Sequence, residues 1–183
     1  MKHLNNEELQ TGLEEILQSP KNNGLVKMIV RRPNVDQREV IEQGSLDVAE
    51  GLVGDSWRIR GSSMTTDGSA HPDMQLTIMN SRVTALVAIS RDRWPLAGDQ
   101  FYVDLDLSDE NLPSGTRLQL GAAVVEITDI PHLGCKKFVA RFGLEAMKFV
   151  NSRLGKRLNL RGVNAKVVKS GIVRTEDTVR KLS

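Results

Sequence analysis

Apolar residues recur at helical spacing near the start of the chain, where Leu9, Leu13, Ile16 and Leu17 share one face of a helix predicted over residues 5–17. Asn5 with Glu8 three residues later has the form of a capping box. Gly12 weakens this helix, and Pro20-Lys21-Asn22-Asn23-Gly24 ends it. From Leu25 the period changes to two. Residues 25–31 predict a strand stopped by Arg32-Pro33-Asn34, and residues 35–45 a further short strand and turn. Residues 51–57 form a glycine-punctuated loop, and residues 60–73 are small and polar, as in an exposed loop. Leu76–Met79 reads as a strand, and Ser81 as the cap of a helix carrying Val83, Leu86, Val87 and Ile89. After a turn at residues 94–100, Phe101–Leu107 alternates apolar and acidic residues, the pattern of a half-buried strand. Strands follow at 116–120 and 122–128, then a helix at 144–154. A strand broken by Gly171 covers 163–173, and a last one covers 178–181.

Many short strands with turn signals, plus a few helices, predict a mainly β (α+β) fold: an antiparallel β-barrel with several peripheral helices. No βαβ alternation and no GxGxxG after a strand is present, which excludes a dinucleotide fold. The length of 183 residues suits one domain. The expected division is an N-terminal helix, 1–20, packed as a brace on a barrel domain, 21–183. No apolar run is long enough to span a bilayer, and the N-terminal residues lack the apolar core of a signal peptide. With a single cysteine the expected compartment is a reducing cytoplasm.

Charge sharpens the picture. Residues 131–183 hold 13 Lys or Arg against 3 Asp or Glu, whereas residues 1–130 hold 12 against 20. A basic C-terminal segment points to an anionic partner, such as a phosphate-bearing small molecule or nucleic acid, unless the fold sets it against the acidic part. Aromatic content of 4% argues against single-stranded nucleic acid, which needs stacking platforms.

The chemistry concentrates in Pro131-His132-Leu133-Gly134-Cys135-Lys136-Lys137-Phe138-Val139-Ala140-Arg141, which contains the one cysteine. A thiol is a nucleophile or metal ligand only as the thiolate, which nearby cations and a helix N-terminus favour. Lys136, Lys137 and Arg141 supply cations, and His132 a cation, a hydrogen-bond donor or a proton shuttle. The alternative is a cysteine acting as small apolar filler. Zinc spacing is absent, as is the lysine ending of a phosphate-binding loop after Gly51. Asp104, Asp106, Asp109 and Glu110 lack the calcium-loop spacing and read as a solvated face.

The order of several pieces resembles the MOSC domain, named for the C-terminal domain of molybdenum cofactor sulfurases, in its small stand-alone bacterial form. These pieces are Gly54-Asp55; Gly98-Asp99-Gln100 with Asn111-Leu112-Pro113-Ser114-Gly115-Thr116; residues 120–128 running into the cysteine motif; and Arg161-Gly162-Val163-Asn164 with the strand after it. The resemblance implies a β-barrel that binds molybdenum cofactor (molybdopterin) or handles its sulfur. Cys135 then carries a persulfide sulfur or ligates molybdenum. His132 assists, and Lys136, Lys137 and Arg141 lower the thiol pKa or bind the pterin phosphate. Arg161 clamps phosphate, Asn164 meets a pterin edge, and Asp55 and Asp99 are further site residues. A sulfur donor or an oxidoreductase is the implied partner protein. Pyridoxal phosphate belongs to the aminotransferase-like half of fused sulfurases and is not expected here. The chain departs from the family pattern at Trp57, often histidine, at Gly134, often proline, and at Glu176-Asp177, usually Gly-Asp. The alternative function is a non-enzymatic anion- or nucleic-acid-binding module using the basic segment.

Overall fold

The computed structural model describes residues 2–182. Their helices are α1 Asn6–Thr11, α2 Leu13–Leu17, α3 Trp57–Arg60, α4 Ser81–Ala88, α5 Lys136–Phe142, α6 Leu144–Asn151 and α7 Arg153–Arg157. Their strands are β1 Gly24–Arg31, β2 Glu39–Ile41, β3 Gln43–Asp47, β4 Gly51–Leu52, β5 Leu76–Asn80, β6 Phe101–Asp104, β7 Arg117–Leu120, β8 Ala123–Ile127, β9 Val163–Lys169, β10 Gly171–Arg174 and β11 Thr178–Lys181.

Seven strands close a barrel in the order β1-β6-β5-β9-β8-β7-β11, and the ring shuts where Gly24 and Leu25 pair with Val179 and Thr178. Every neighbouring pair is antiparallel except β5 and β6. Those two are joined through α4 and a 3-10 turn over Arg91–Ala97, the crossover a parallel pair requires. A small sheet, β10-β3-β4, brings Leu46, Leu52 and Val173 onto the barrel interior. The fold is thus the mainly β, α+β barrel with peripheral helices that the strand pattern predicts.

Two apolar layers explain the sequence pattern. Phe101 and Val103 point into the barrel with Ile29, Ile78 and Val125. Tyr102 between them points outward beneath the helices with Met28, Val30, Met79, Phe142 and Phe149. Strands buried on both faces lose the apolar–polar alternation of a solvated sheet. Val26 and Ile29 lie three apart yet both face inward; a β-bulge between Val26 and Met28 absorbs the odd residue. Leu9 and Ile16 place α1 and α2 against the outer layer.

Several boundaries shift for local reasons. The first helix divides at Gly12, and its capping box is formed, Asn5 Oδ1 accepting from the Glu8 amide and Glu8 Oε2 from the Asn5 amide. Asn80, not Ser81, caps α4 by accepting from the Arg82 amide. The predicted 144–154 helix restarts at Ser152, whose hydroxyl accepts from the Gly155 amide. The 163–173 strand is two strands in different sheets. At Gly171 the chain runs so close to the Ala122 backbone that a Cβ would lie 2.5 Å from its carbonyl carbon. The acidic strand stops at Asp104, which is tied to Arg82 at 2.8 Å.

Phe101 is fully buried at the centre of the interior layer. Phe101→Ala is expected to lower unfolding free energy by about 3–5 kcal/mol. Urea denaturation checks this; a loss below about 1 kcal/mol would mean the barrel interior collapses around the cavity.

Candidate functional site

The site grows from a buried ion pair. The 3-10 turn ends at Gly98 with φ 91°, a left-handed conformation suited to glycine, and the next residue, Asp99, is completely buried. Arg161, in the turn before β9, gives its Nη1 to Asp99 Oδ2 at 2.8 Å and its Nη2 to the Ala97 carbonyl at 2.9 Å. Its guanidinium carbon stands 5.1 Å from the Phe138 ring centroid on α5. One arginine therefore ties the β5–β6 crossover to the helix that begins after Cys135. Burial pushes the Asp99 carboxyl above its ordinary range, and Arg161 works against that rise.

Cys135 is exposed and sits at the N-cap of α5. Partial burial raises its pKa, but the backbone N–H groups of Phe138 and Lys137, together with Arg161 and Arg141, outweigh this and hold it below the usual thiol value. The sequence assigns that task to the lysine ammoniums; the structure gives it to amides and arginines. Lys136 is exposed on α5, and Lys137, also exposed, lies 4.0 Å from Asp36. His132 Nδ1 and Asp99 Oδ1 face each other at 3.5 Å, both buried and without a hydrogen-bond partner. Burial, with Arg161 and Arg32 nearby, pushes the His132 pKa well below 6.5. It is neutral at pH 7 and supplies no cation to the thiol.

A second buried pair lies beside the first. Asp55, its side chain fully buried, accepts from Arg32 Nε at 2.8 Å and Nη2 at 2.9 Å, while Arg32 Nη1 donates to the Gly98 carbonyl at 2.8 Å. Asp55 and Asp99 thus act as holders of arginines. Around them gather Arg38, Arg60 and Arg141. A Cβ at Gly98 would lie 3.8 Å from both Arg141 Nη1 and Arg38 Nη2. Burial and the charges of neighbouring arginines lower the pKa of Arg38 and Arg60. Neither has a carboxylate within 4.0 Å among the described residues. Arg141 is fastened to the Leu96 carbonyl at 2.7 Å and to Asp36 at 3.2 Å.

These groups border two adjoining hollows. One, of about 180 Å³, is lined by Arg32, Trp57, Arg60, Gly98, His132 and Asn164. The other, of about 230 Å³, shares Arg32 and Arg60 and adds Arg38 and Lys137. Arg32, Arg38 and Arg60 escape the sequence reading: Arg32 ends a predicted strand and Arg60 opens a loop. The Arg31-Arg32-Pro33 punctuation next to Arg38 is the only trace of them. Asn164 is buried, donating Nδ2 to the Ile130 carbonyl at 3.0 Å and leaving Oδ1 unpartnered.

The basic C-terminal segment is partly neutralised by the acidic part of the chain. Arg161 meets Asp99, Arg141 meets Asp36, and Lys166 meets Asp73 at 2.9 Å and Glu126 at 3.7 Å. No helix among the described residues is long and apolar enough to cross a membrane. No group of three or more His, Cys, Asp or Glu side chains is placed to hold a metal ion among them.

The architecture matches that of solved proteins. YuaD from Bacillus subtilis superposes with a TM-score of 0.60 at 14% identity, over 87% of this chain and 95% of that one. YiiM from Escherichia coli gives 0.56 at 17%, over 87% and 70%. A crystal structure of a hypothetical protein gives 0.59 at 17%, over 91% and 71%. No family model and no curated relative matches the chain. At these identities the likeness is one of fold, and the fold is the MOSC-like barrel that the order of motifs implies.

Two outcomes follow from the electrostatics. Alkylation of Cys135 by iodoacetamide is expected to titrate with a midpoint below the ordinary thiol value of about 8.5, as rates measured from pH 6 to 10 would show. For His132, the unfolded imidazole binds a proton near pH 6.5 and the folded one does not. Stability present at pH 7 is therefore lost as pH falls from about 6.5 toward the lower folded value. His132→Gln is expected to reduce the drop in unfolding free energy between pH 7 and pH 5 by about 1–2 kcal/mol, read by urea denaturation at the two pH values.

Proposed function

We propose that this protein binds the phosphate-bearing molybdenum cofactor, or carries its sulfur, at the hollows beside Cys135. The observation that carries this reading is the meeting of an excess of guanidinium groups with an exposed, acidified thiol. Arg32, Arg38 and Arg60 line the hollows. Arg141 approaches Gly98 beside Arg38 and also favours the Cys135 thiolate. With Arg38 and Arg60 lacking carboxylate partners, an anion entering there relieves the repulsion that depresses their pKa values.

The residues present fit such a group. Arg38 and Arg60 would hold its phosphate, and Arg32, already clamped by Asp55, would keep the hollow rigid. Asn164, with an unpartnered Oδ1, offers an acceptor to a pterin N–H. Cys135 would carry either a molybdenum ion or a persulfide sulfur. When bound, the cofactor supplies two-electron redox or sulfur-transfer chemistry at the metal. For sulfur carriage, the Cys135 thiolate attacks the outer sulfur of a donor persulfide. The donor's S–S bond breaks, its thiolate leaves with the electron pair, and a new S–S bond forms on Cys135. A sulfur-donor protein or an oxidoreductase would be the partner, acting in the cytoplasm.

The alternative reading, simple anion binding, uses the same arginines and does not need the thiol. Nucleic acid is disfavoured by the internal neutralisation of Arg141, Arg161 and Lys166.

Mass spectrometry of protein purified from its native host is expected to show bound pterin and molybdenum, or a sulfur adduct on Cys135. Cys135→Ser should lose the metal or the adduct while keeping the wild-type thermal transition. Unchanged loading in that variant would take the thiol out of the mechanism and leave anion binding alone.

A further inference from the structure

The largest cavity is not the arginine hollow. It has a volume of about 490 Å³ and lies on the other side of His132 and Asn164, which line both spaces. Its walls are apolar, formed by Leu112, Ile127, Pro131, Leu133, Val150 and Val163. Its mouth carries the exposed carboxylates Asp109 and Asp129 with one cation, Lys156. An anion suited to the arginine side would meet net negative charge here.

The inner wall holds two polar atoms with nothing to bond. Arg161 is 7% exposed, and its Nε–H has no acceptor; Asn164 is 1% exposed, and its Oδ1 has no donor. Neither side chain is free to turn toward a partner within the protein. Arg161 is held through Nη1 and Nη2 by Asp99 and Ala97, and Asn164 through Nδ2 by Ile130. A buried donor and a buried acceptor left unpaired are each costly, and a ligand that satisfies both recovers that cost. The complementary group is a cis-amide edge, a carbonyl oxygen for Arg161 Nε–H beside an N–H for Asn164 Oδ1.

We infer that this cavity is a second ligand site, taking an uncharged ring that bears a lactam edge, separate from the anion hollow. Its volume suits a drug-sized organic molecule, and its few polar groups set orientation within apolar walls. The shared wall of His132 and Asn164 places such a molecule next to whatever the arginine hollow holds. The inference goes beyond the cofactor reading and does not depend on Cys135.

The test is a nuclear magnetic resonance titration of the full chain with 2-pyridone and with N-methyl-2-pyridone. Saturable binding of 2-pyridone is expected, with shifts at Ile127, Val163 and Asn164, and the N-methyl compound should bind about tenfold more weakly because Asn164 Oδ1 stays unpaired. This comparison uses the unaltered protein. Asn164→Leu should erase the difference, and Ser114→Trp, at an exposed position on the rim, should weaken 2-pyridone binding about tenfold. Equal affinity for the two compounds, absence of saturable binding, or displacement of 2-pyridone by inorganic phosphate each overturns the inference. If phosphate does not bind while 2-pyridone does, the anion reading fails and the lactam site stands.

Discussion

The structure around the thiol depends on one buried ion pair. Asp99 and Arg161 meet at 2.8 Å with almost no solvent contact. Removing two charges from water is expensive, so such a pair persists only where other bonds complete it. Here the Ala97 carbonyl and the Phe138 ring do so in part. The pair fixes the turn before β6, the turn before β9 and the first helical turn after Cys135 relative to one another. These segments lie far apart in sequence. Losing either partner would strand a charge in the interior, the costly way to break a buried pair.

The second pair, Arg32 with Asp55, repeats this logic on the neighbouring side and reaches the same glycine, since Arg32 donates to the Gly98 carbonyl. Each buried carboxylate fixes one arginine. The arginines without carboxylates, Arg38 and Arg60, stand at the edge of the hollows. Chemistry is thereby separated from structure: Asp55 and Asp99 position, whereas Arg38, Arg60 and the thiol face the opening. The same separation accounts for two cavities of opposite character. Positive charge is concentrated on one side of His132 and Asn164, and apolar surface on the other.

Much of the fold was legible in the sequence. The strands at 25–31, 76–79, 116–120 and 178–181 announce themselves by alternation and turn residues, and the capping box at Asn5 is a local hydrogen-bond pattern. The motif order carried the barrel. Boundaries slipped where a tertiary contact intervened. Gly171 is one such point, turning the chain from the barrel into the small sheet against the Ala122 backbone. Another is Asp104, fastened to Arg82. Cys135, His132, Arg141, Arg161 and Asn164 were all visible as candidates, because residue type and the neighbouring sequence draw attention to them.

By itself the sequence determined which segments are strands and helices, that one thiol is present, and that positive charge accumulates after residue 130. Those properties follow from local periodicity and composition. Only the tertiary structure decided which charges cancel and which stay available. Arg161 and Lys166 are matched by acids from the first 130 residues, while Arg32, Arg38 and Arg60 come from that acidic part to make the positive hollow. The reason is physical: Coulomb interaction and desolvation depend on distance and burial in space, and closing the barrel makes neighbours of residues that the chain keeps far apart.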